Sequence, residues 1–238
     1  MTHAPWRRLG EGESAGEYLG LSPKLLAMIR TENLAGKRIL DVGCGGGQLS
    51  LALAPEAREV IGIDLMAGVI EQAAAAARQR NLRNVRFQVA DAESEDYRQI
   101  CGGPPDMVVA RLCMSDWIVE RAAAALSPGA CLIFAAFHTD QWKETGRVSR
   151  FAYSEEQITD VLHTCGFVPE EISLERDVTR FSSVEKALAS PAVRILREKW
   201  EADGRWEAYR DYLAEGGRTL TRSHLLVKAR RGQGEEGA

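Results

Sequence analysis

The sequence predicts an α/β fold in which helices cover both faces of a doubly wound, mostly parallel sheet. Three observations predict it. The stretch Lys37–Ala54, KRILDVGCGGGQLSLALA, reads as strand, tight turn and helix: Ile39, Leu40 and Val42 suit a buried strand, glycines supply the turn, and an apolar helical pattern resumes at Gln48. Beyond it, short apolar runs alternate with helical segments, as in strands joined by crossover helices. The chain has 238 residues, which suits one such domain with additions and leaves two full domains cramped.

Bulk properties narrow the functional classes. With 45% hydrophobic and 27% charged residues the chain is ordinary for a soluble globular protein. A net charge of −4 and a pI near 5.7 give nucleic acid no general attraction, although a local basic patch stays compatible with them. Cys44, Cys101, Cys113, Cys131 and Cys165 are odd in number and widely spaced without a CxxC, so they read as buried free thiols. His3, His138, His163 and His224 lack metal-ligand spacing, and no metal is expected. No run approaches the ~18 apolar residues of a membrane span, and the N-terminus lacks a signal-like apolar core, so the expected location is cytoplasmic with no membrane partner.

Taken in order, residues 1–20 are polar, and Ser22-Pro23 then opens a helix carrying Leu25, Leu26 and Ile29 to about Asn33. Residues 1–36 are thus expected to form an N-terminal helical lid. In the glycine turn, Gly43, Gly45, Gly46 and Gly47 leave the backbone open, and the helix behind them presents unpaired N–H groups to a polar or anionic ligand. The spacing is Asp41-x-Gly43-x-Gly45-x-Gly47, whereas a dinucleotide fingerprint wants its third glycine where Gln48 stands. Asp41 would repel a pyrophosphate and accept from an ammonium group, which points to a ligand with an amino-acid part.

These residues resemble the first motif of the class I S-adenosylmethionine-dependent methyltransferases, an acid followed by Gly-x-Gly-x-Gly. The resemblance implies a Rossmann-like seven-stranded sheet of order 3-2-1-4-5-7-6 with the last strand antiparallel, S-adenosyl-L-methionine as cofactor and S-adenosyl-L-homocysteine as product. It places Asp41, Gly43, Cys44, Gly45 and Gly47 at the cofactor. A dinucleotide-binding oxidoreductase and a purely structural turn are the competing readings.

The second strand, Glu59–Asp64, delivers Asp64 beside the glycine turn, where the family's second acid holds the ribose hydroxyls; Leu65 and Met66 would border the adenosine. An alanine-rich helix over Ala67–Asn81 precedes a third strand, Val85–Ala90. The resemblance gives Asp91 and Ala92 to the adenine, with Asp91 as cap of a short helix over Glu93–Tyr97 the alternative. After a turn at Gly102–Pro105, the fourth strand, Asp106–Leu112, brings Arg111, Cys113, Met114 and Ser115 to the ligand edge. Arg111, a candidate catalytic and cofactor-binding residue, either anchors a substrate carboxylate or phosphate or pairs with Asp116. A helix over Asp116–Leu126 and the turn Ser127-Pro128-Gly129-Ala130 lead to an apolar strand, Cys131–Phe137, and then to His138, which is a candidate general base or a structural histidine. Ser154 and Gln157 form a capping box on a helix that Gly166 ends, and a strand follows within Phe167–Phe181, closing a core over 37–181.

About forty residues, 182–220, then separate this strand from the last one, where a hairpin needs two to five. They read as two or three helices, with Pro191 at a start and Gly216-Gly217 at the exit, and they hold Trp200, Trp206, Tyr209 and Tyr212. Such an insert is expected to roof an acceptor pocket with the N-terminal lid. The candidate substrate contacts are Tyr18, Met114, His138, Trp142, Trp206 and Tyr209; simple packing and homodimerisation compete for the aromatics. The final strand is expected over 221–230 and a disordered tail over 231–238. The function expected is methyl transfer to a small-molecule acceptor, by a monomer or homodimer. The alternatives are an RNA or protein acceptor and a regulatory cofactor-binding protein.

Overall fold

A computed structural model describes residues 20–233; Tyr18, most of the expected lid segment and residues 234–238 lie outside them. The first helix, α1 (Pro23–Arg30), starts where Ser22 caps it and proline occupies its first turn, and it buries Leu25, Met28 and Ile29. There follow β1 (Arg38–Val42), α2 (Gln48–Leu53), β2 (Glu59–Asp64), α3 (Ala67–Gln79), β3 (Val85–Val89), α4 (Tyr97–Cys101), β4 (Met107–Arg111), α5 (Asp116–Ala125) and β5 (Cys131–His138). A short 3-10 turn at Lys143–Thr145 precedes β6 (Ala152–Tyr153), α6 (Glu155–Thr164) and β7 (Phe167–Arg180). Three helices, α7 (Val184–Ala189), α8 (Pro191–Asp203) and α9 (Arg205–Ala214), then lead to β8 (Thr219–Arg231).

The sheet runs β3-β2-β1-β4-β5-β8-β7, with the two-residue β6 set against β5. Leaving β6 out of the count, this is the expected order 3-2-1-4-5-7-6. The four pairings from β3 to β5 are parallel, and their register stacks apolar residues: Leu40 lies opposite Ile61 and Val108, and Val108 opposite Leu132. All four are fully buried, as strands covered on both faces must be.

Three boundaries differ from expectation. The short helix expected over 93–97 begins at Tyr97, because Asp96 caps it by accepting from the N–H groups of Arg98 and Gln99. The last strand begins at Thr219, ahead of the expected 221, and it continues through Arg231, which therefore belongs to the sheet rather than to a tail. β7 runs for 14 residues, inside the expected 167–181, with most of its outer half exposed.

The chain divides into two units. One holds residues 22–136, 153–173 and the last strand from Leu225; the other holds 137–152 and 174–224, more than the insert alone, so β5, β7 and β8 each pass from one to the other. The sheet unit has a continuous core running from Leu40 and Ile61 through Val108 and Phe134 to Leu225 and Val227. On β8, Lys228 and Arg230 contact Glu32 at 2.6 and 2.7 Å, and both also reach Glu170. Burial works against charge on Glu32, but hydrogen bonds from Arg230, Lys228 and the Cys131 thiol outweigh it and hold the carboxyl down at about 2. Glu32, Cys131 and Glu170 are the one grouping of metal-ligand spacing among the described residues, and the two cations already neutralise its carboxylates.

The second unit has a separate aromatic core. Trp142 and Trp200 meet edge to face with centroids 5.6 Å apart, and Trp200 meets Tyr209 likewise at 5.4 Å. Glu144, 9% exposed, accepts from the Thr219 hydroxyl and from both the N–H and hydroxyl of Thr221. Among the described residues no helix is long and apolar enough to cross a membrane.

Candidate functional site

The carboxyl end of β1 shows why this sequence turns where it does. Gly43 has φ +64, and a Cβ there would lie 2.3 Å from the Cys113 sulfur, so both conformation and space require glycine. Gly45 also has positive φ (+51), but a Cβ there would meet nothing within 4 Å. The turn therefore closes tightly on β4 at Gly43 and opens outward at Gly45. A side chain at Gly47 would strike Phe87 of β3 and Ala73 of α3.

Two carboxylates flank this turn, in different states. Asp64 ends β2 partly exposed; its Oδ2 accepts from the Gly45 N–H at 2.9 Å and its Oδ1 from the Met66 N–H at 3.0 Å. Each oxygen keeps a further lone pair, so the group is fixed in place yet able to accept from a ligand. Beside it Leu65, Met66 and Val89 are 69%, 43% and 48% exposed, an apolar surface bordering a carboxylate. Asp41 is 1% exposed. The Ser50 hydroxyl donates to its Oδ2 at 2.5 Å, and its Oδ1 is buried with no partner. Burial pushes its carboxyl up to about 7, against the hydrogen bonds of Ser50 and the positive field of Arg111, with Asp64 adding to the rise.

The other expected residues of the sheet unit fall as follows. Burial pushes the Cys44 thiol far up and Cys113 up to about 11, so neither is a thiolate. Asp91 is exposed, and its Oδ1 accepts from the Glu93 N–H at 2.9 Å, closing a local turn. The carbonyl of Ala92 accepts from the Tyr97 hydroxyl. Arg111 ends β4, and Asp116, its expected alternative partner, accepts from the Tyr153 hydroxyl at 2.8 Å. Met114 is buried in the sheet unit's core.

His138, Trp142, Trp206 and Tyr209 belong to the second unit. The Asp140 N–H donates to His138 Nδ1 at 3.1 Å, with Ser223 Oγ also at 3.1 Å. An Nδ1 that accepts puts the proton of the neutral ring on Nε2, so the ring offers a donor there where a general base needs a lone pair. Tyr209 is fully buried, and Trp142 and Trp206 are 5% and 8% exposed. Their rings fill the unit's own core rather than form the open wall expected of substrate contacts.

Sequence reasoning placed Cys113 at the ligand edge but missed its contact with Gly43, the backbone of Leu112 and the role of Ser50. Ser50 is a lone hydroxyl on the buried side of the apolar run QLSLALA, which was a readable signal. Cys113 abuts Gly43, and Leu112 leaves β4 at φ 57, in the left-handed region where a bulky residue is rare. Neither of these has a sequence signature.

Residues 33–188 match the family model described as a methyltransferase domain. The uncharacterized methyltransferase YcgJ of Bacillus subtilis is 42% identical over 80 residues, covering 33% of this chain and 29% of that protein. Its crystal structure superposes with a TM-score of 0.64 at 20% identity, over 88% of this chain and 98% of that one. The ribosomal protein L11 methyltransferase of Deinococcus radiodurans is 34% identical over 133 residues, 54% of this chain and 47% of that protein. The crystal structure of BH2331 from Bacillus halodurans superposes with a TM-score of 0.65 at 19% identity, over 89% of this chain and all of that one. The chain spans less than half the length of each of these two curated relatives.

Proposed function

Because the chain belongs to the methyltransferase-domain family, we propose that it is an S-adenosylmethionine-dependent methyltransferase acting on a small-molecule acceptor. One observation carries the cofactor reading. The carboxylate of Asp64 is locked by two backbone N–H groups beside the exposed apolar side chains of Leu65, Met66 and Val89. A nucleoside fits that pair, its ribose hydroxyls donating to the remaining lone pairs of Asp64 and its base covering the apolar surface. Asp91 keeps one carboxylate oxygen outside its local turn for an exocyclic amino group, with Ala92 next to it.

The glycine turn suits the amino-acid end. The unpaired Oδ1 of Asp41 is an acceptor that an ammonium group satisfies, and the open face at Gly45 leaves room for backbone approach. Cys44 borders the same turn, and the charge of Arg111 acts on Asp41 from β4. When bound, the cofactor supplies an activated methyl group with a neutral leaving group. The protein's task is then to hold acceptor and donor in line and exclude water. No base is assigned, because the acceptor atom decides whether one is needed and His138 presents a donor.

Net negative charge argues against a nucleic-acid acceptor. The similarity to an L11 methyltransferase makes a protein substrate the second reading. The purified protein, incubated with methyl-labelled cofactor and fractionated metabolites, RNA and protein, is expected to transfer label to the metabolite fraction. Label in protein alone would favour the second reading, and label in none would leave a regulatory cofactor-binding protein.

A further inference from the structure

The second unit contains a cluster that the methyl-transfer reading does not use. Where α8 meets α9, the Lys199 ammonium and the Arg205 guanidinium lie 5.8 and 5.7 Å from the centre of the Trp142 ring. Arg147 lies against Gly204 between the two helices, and its guanidinium donates to the Asp203 carbonyl. Asp203 is the acid that faces them: its carboxylate accepts from the Arg205 N–H at 3.2 Å and from the Arg205 guanidinium at 2.8 Å. The Asp203 carboxylate is thus bonded to Arg205 alone, while Arg147 takes the Asp203 backbone carbonyl.

Two buried donors, on residues that both contact Trp142, find no acceptor. Arg205 is 8% exposed, and its Nε has no partner; Trp200 is fully buried, and its indole Nε1 has none either. Trp200 meets Trp142 edge to face at 5.6 Å, so both unpaired donors and both cations belong to the surroundings of one ring. That ring is held in an unusual way. Trp142 has φ 55 and ψ 40, in the left-handed region that a bulky side chain rarely adopts, and its N–H is tied to the Thr221 carbonyl. Burial lowers the Lys199 pKa, and the Arg205 charge lowers it further, so the two cations feel one another. Like charges gathered over a strained aromatic, with buried donors left empty, are costly in a fold that gains nothing from them.

We propose that this junction is an anion-binding site, built from Lys199, Arg205 and the indole N–H of Trp200 around Trp142, for a small organic ligand presenting a carboxylate or phosphate group. Acceptor oxygens would satisfy the unpaired donors and offset the excess of positive charge. The inference stands on the second unit alone and does not require that the chain transfer methyl groups.

The test is titration of the full chain, without cofactor and at low ionic strength, with inorganic phosphate and separately with succinate. Tryptophan fluorescence and the thermal midpoint are followed, against chloride at matched ionic strength. A saturable response to at least one anion is expected. Its dissociation constant should rise at least about tenfold in Lys199→Gln and in Arg205→Gln, the loss of one charge-assisted hydrogen bond. It should be unchanged in Asp64→Ala, which alters the other unit's site. Response to phosphate or to succinate identifies the group preferred. No saturable response to either, or one that survives Lys199→Gln, overturns the proposal. Because Lys199 is a solvent-reaching side chain, that variant decides the matter even if the loss of Arg205 unfolds the unit.

Discussion

The glycine-turn edge of the sheet and the α8–α9 junction of the aromatic unit both bury polar atoms that have no partner, but the atoms are of opposite kinds. At the turn the orphan is an acceptor, Asp41 Oδ1; at the junction the orphans are donors, Arg205 Nε and Trp200 Nε1. A third region shows what a purely structural solution looks like. Around Glu32 and Glu170, two carboxylates meet two cations with short contacts. Buried polar groups are normally satisfied, so a matched network points to stability and an unmatched one to a ligand of the missing sign. The turn leaves an acceptor unmet and the junction leaves donors unmet.

The sharpest way to break this contrast is to remove the carboxylate that fixes the turn. Asp64→Ala should lower cofactor affinity at least about tenfold, since charge-assisted hydrogen bonds are worth roughly 1.5–3 kcal/mol each. The fold should persist by circular dichroism, and an unchanged affinity would make Asp64 a loop acid only.

Next in size is the matched network. Glu32→Gln should cost about 1–3 kcal/mol at neutral pH in urea titrations, and cofactor affinity should stay the same. Because the Glu32 pKa is depressed to about 2, its contribution is present above the ordinary carboxylate range and is lost as pH falls from ~4.5 toward 2. The variant should show a flatter acid limb.

Asp41 should show the opposite sign. Its pKa is raised to about 7, so the folded chain prefers the neutral acid, and ligand-free stability falls as pH rises from ~4 to 7. Binding of an ammonium-bearing ligand prefers the ionised form. Cofactor affinity should therefore climb as pH rises toward 7 and level off above it, with a slope of up to about tenfold per unit that Asp41→Asn removes. The smallest effect belongs to Ser50→Ala: losing a hydrogen bond that favours the ionised form should move that levelling point to higher pH.

The same contrast explains what could be read from the sequence. The turn was legible because Gly43, Gly45, Gly47, Asp41 and Asp64 act through backbone geometry and strand ends, which follow local pattern. Ser50 was legible in principle, as a hydroxyl on an apolar helix face, and Cys113 was legible at the ligand edge, whereas its packing against Gly43 arises only by folding. The capping role of Asp96 and the extension of β8 to Thr219 and Arg231 were missed because polar residues carry weak strand and helix signals. The aromatic insert was legible as helices but not in its use. Burial of Tyr209 and Trp200 in a private core, and the strained Trp142 with cations around it, arise from tertiary packing that spacing does not encode.

The measurement that bears most directly on the central claim is calorimetric titration of the purified chain with S-adenosylhomocysteine and with NAD. The account predicts one saturable site for S-adenosylhomocysteine, weakened in Asp64→Ala, and no heat of binding for NAD. Tight binding of NAD with no response to S-adenosylhomocysteine would contradict it.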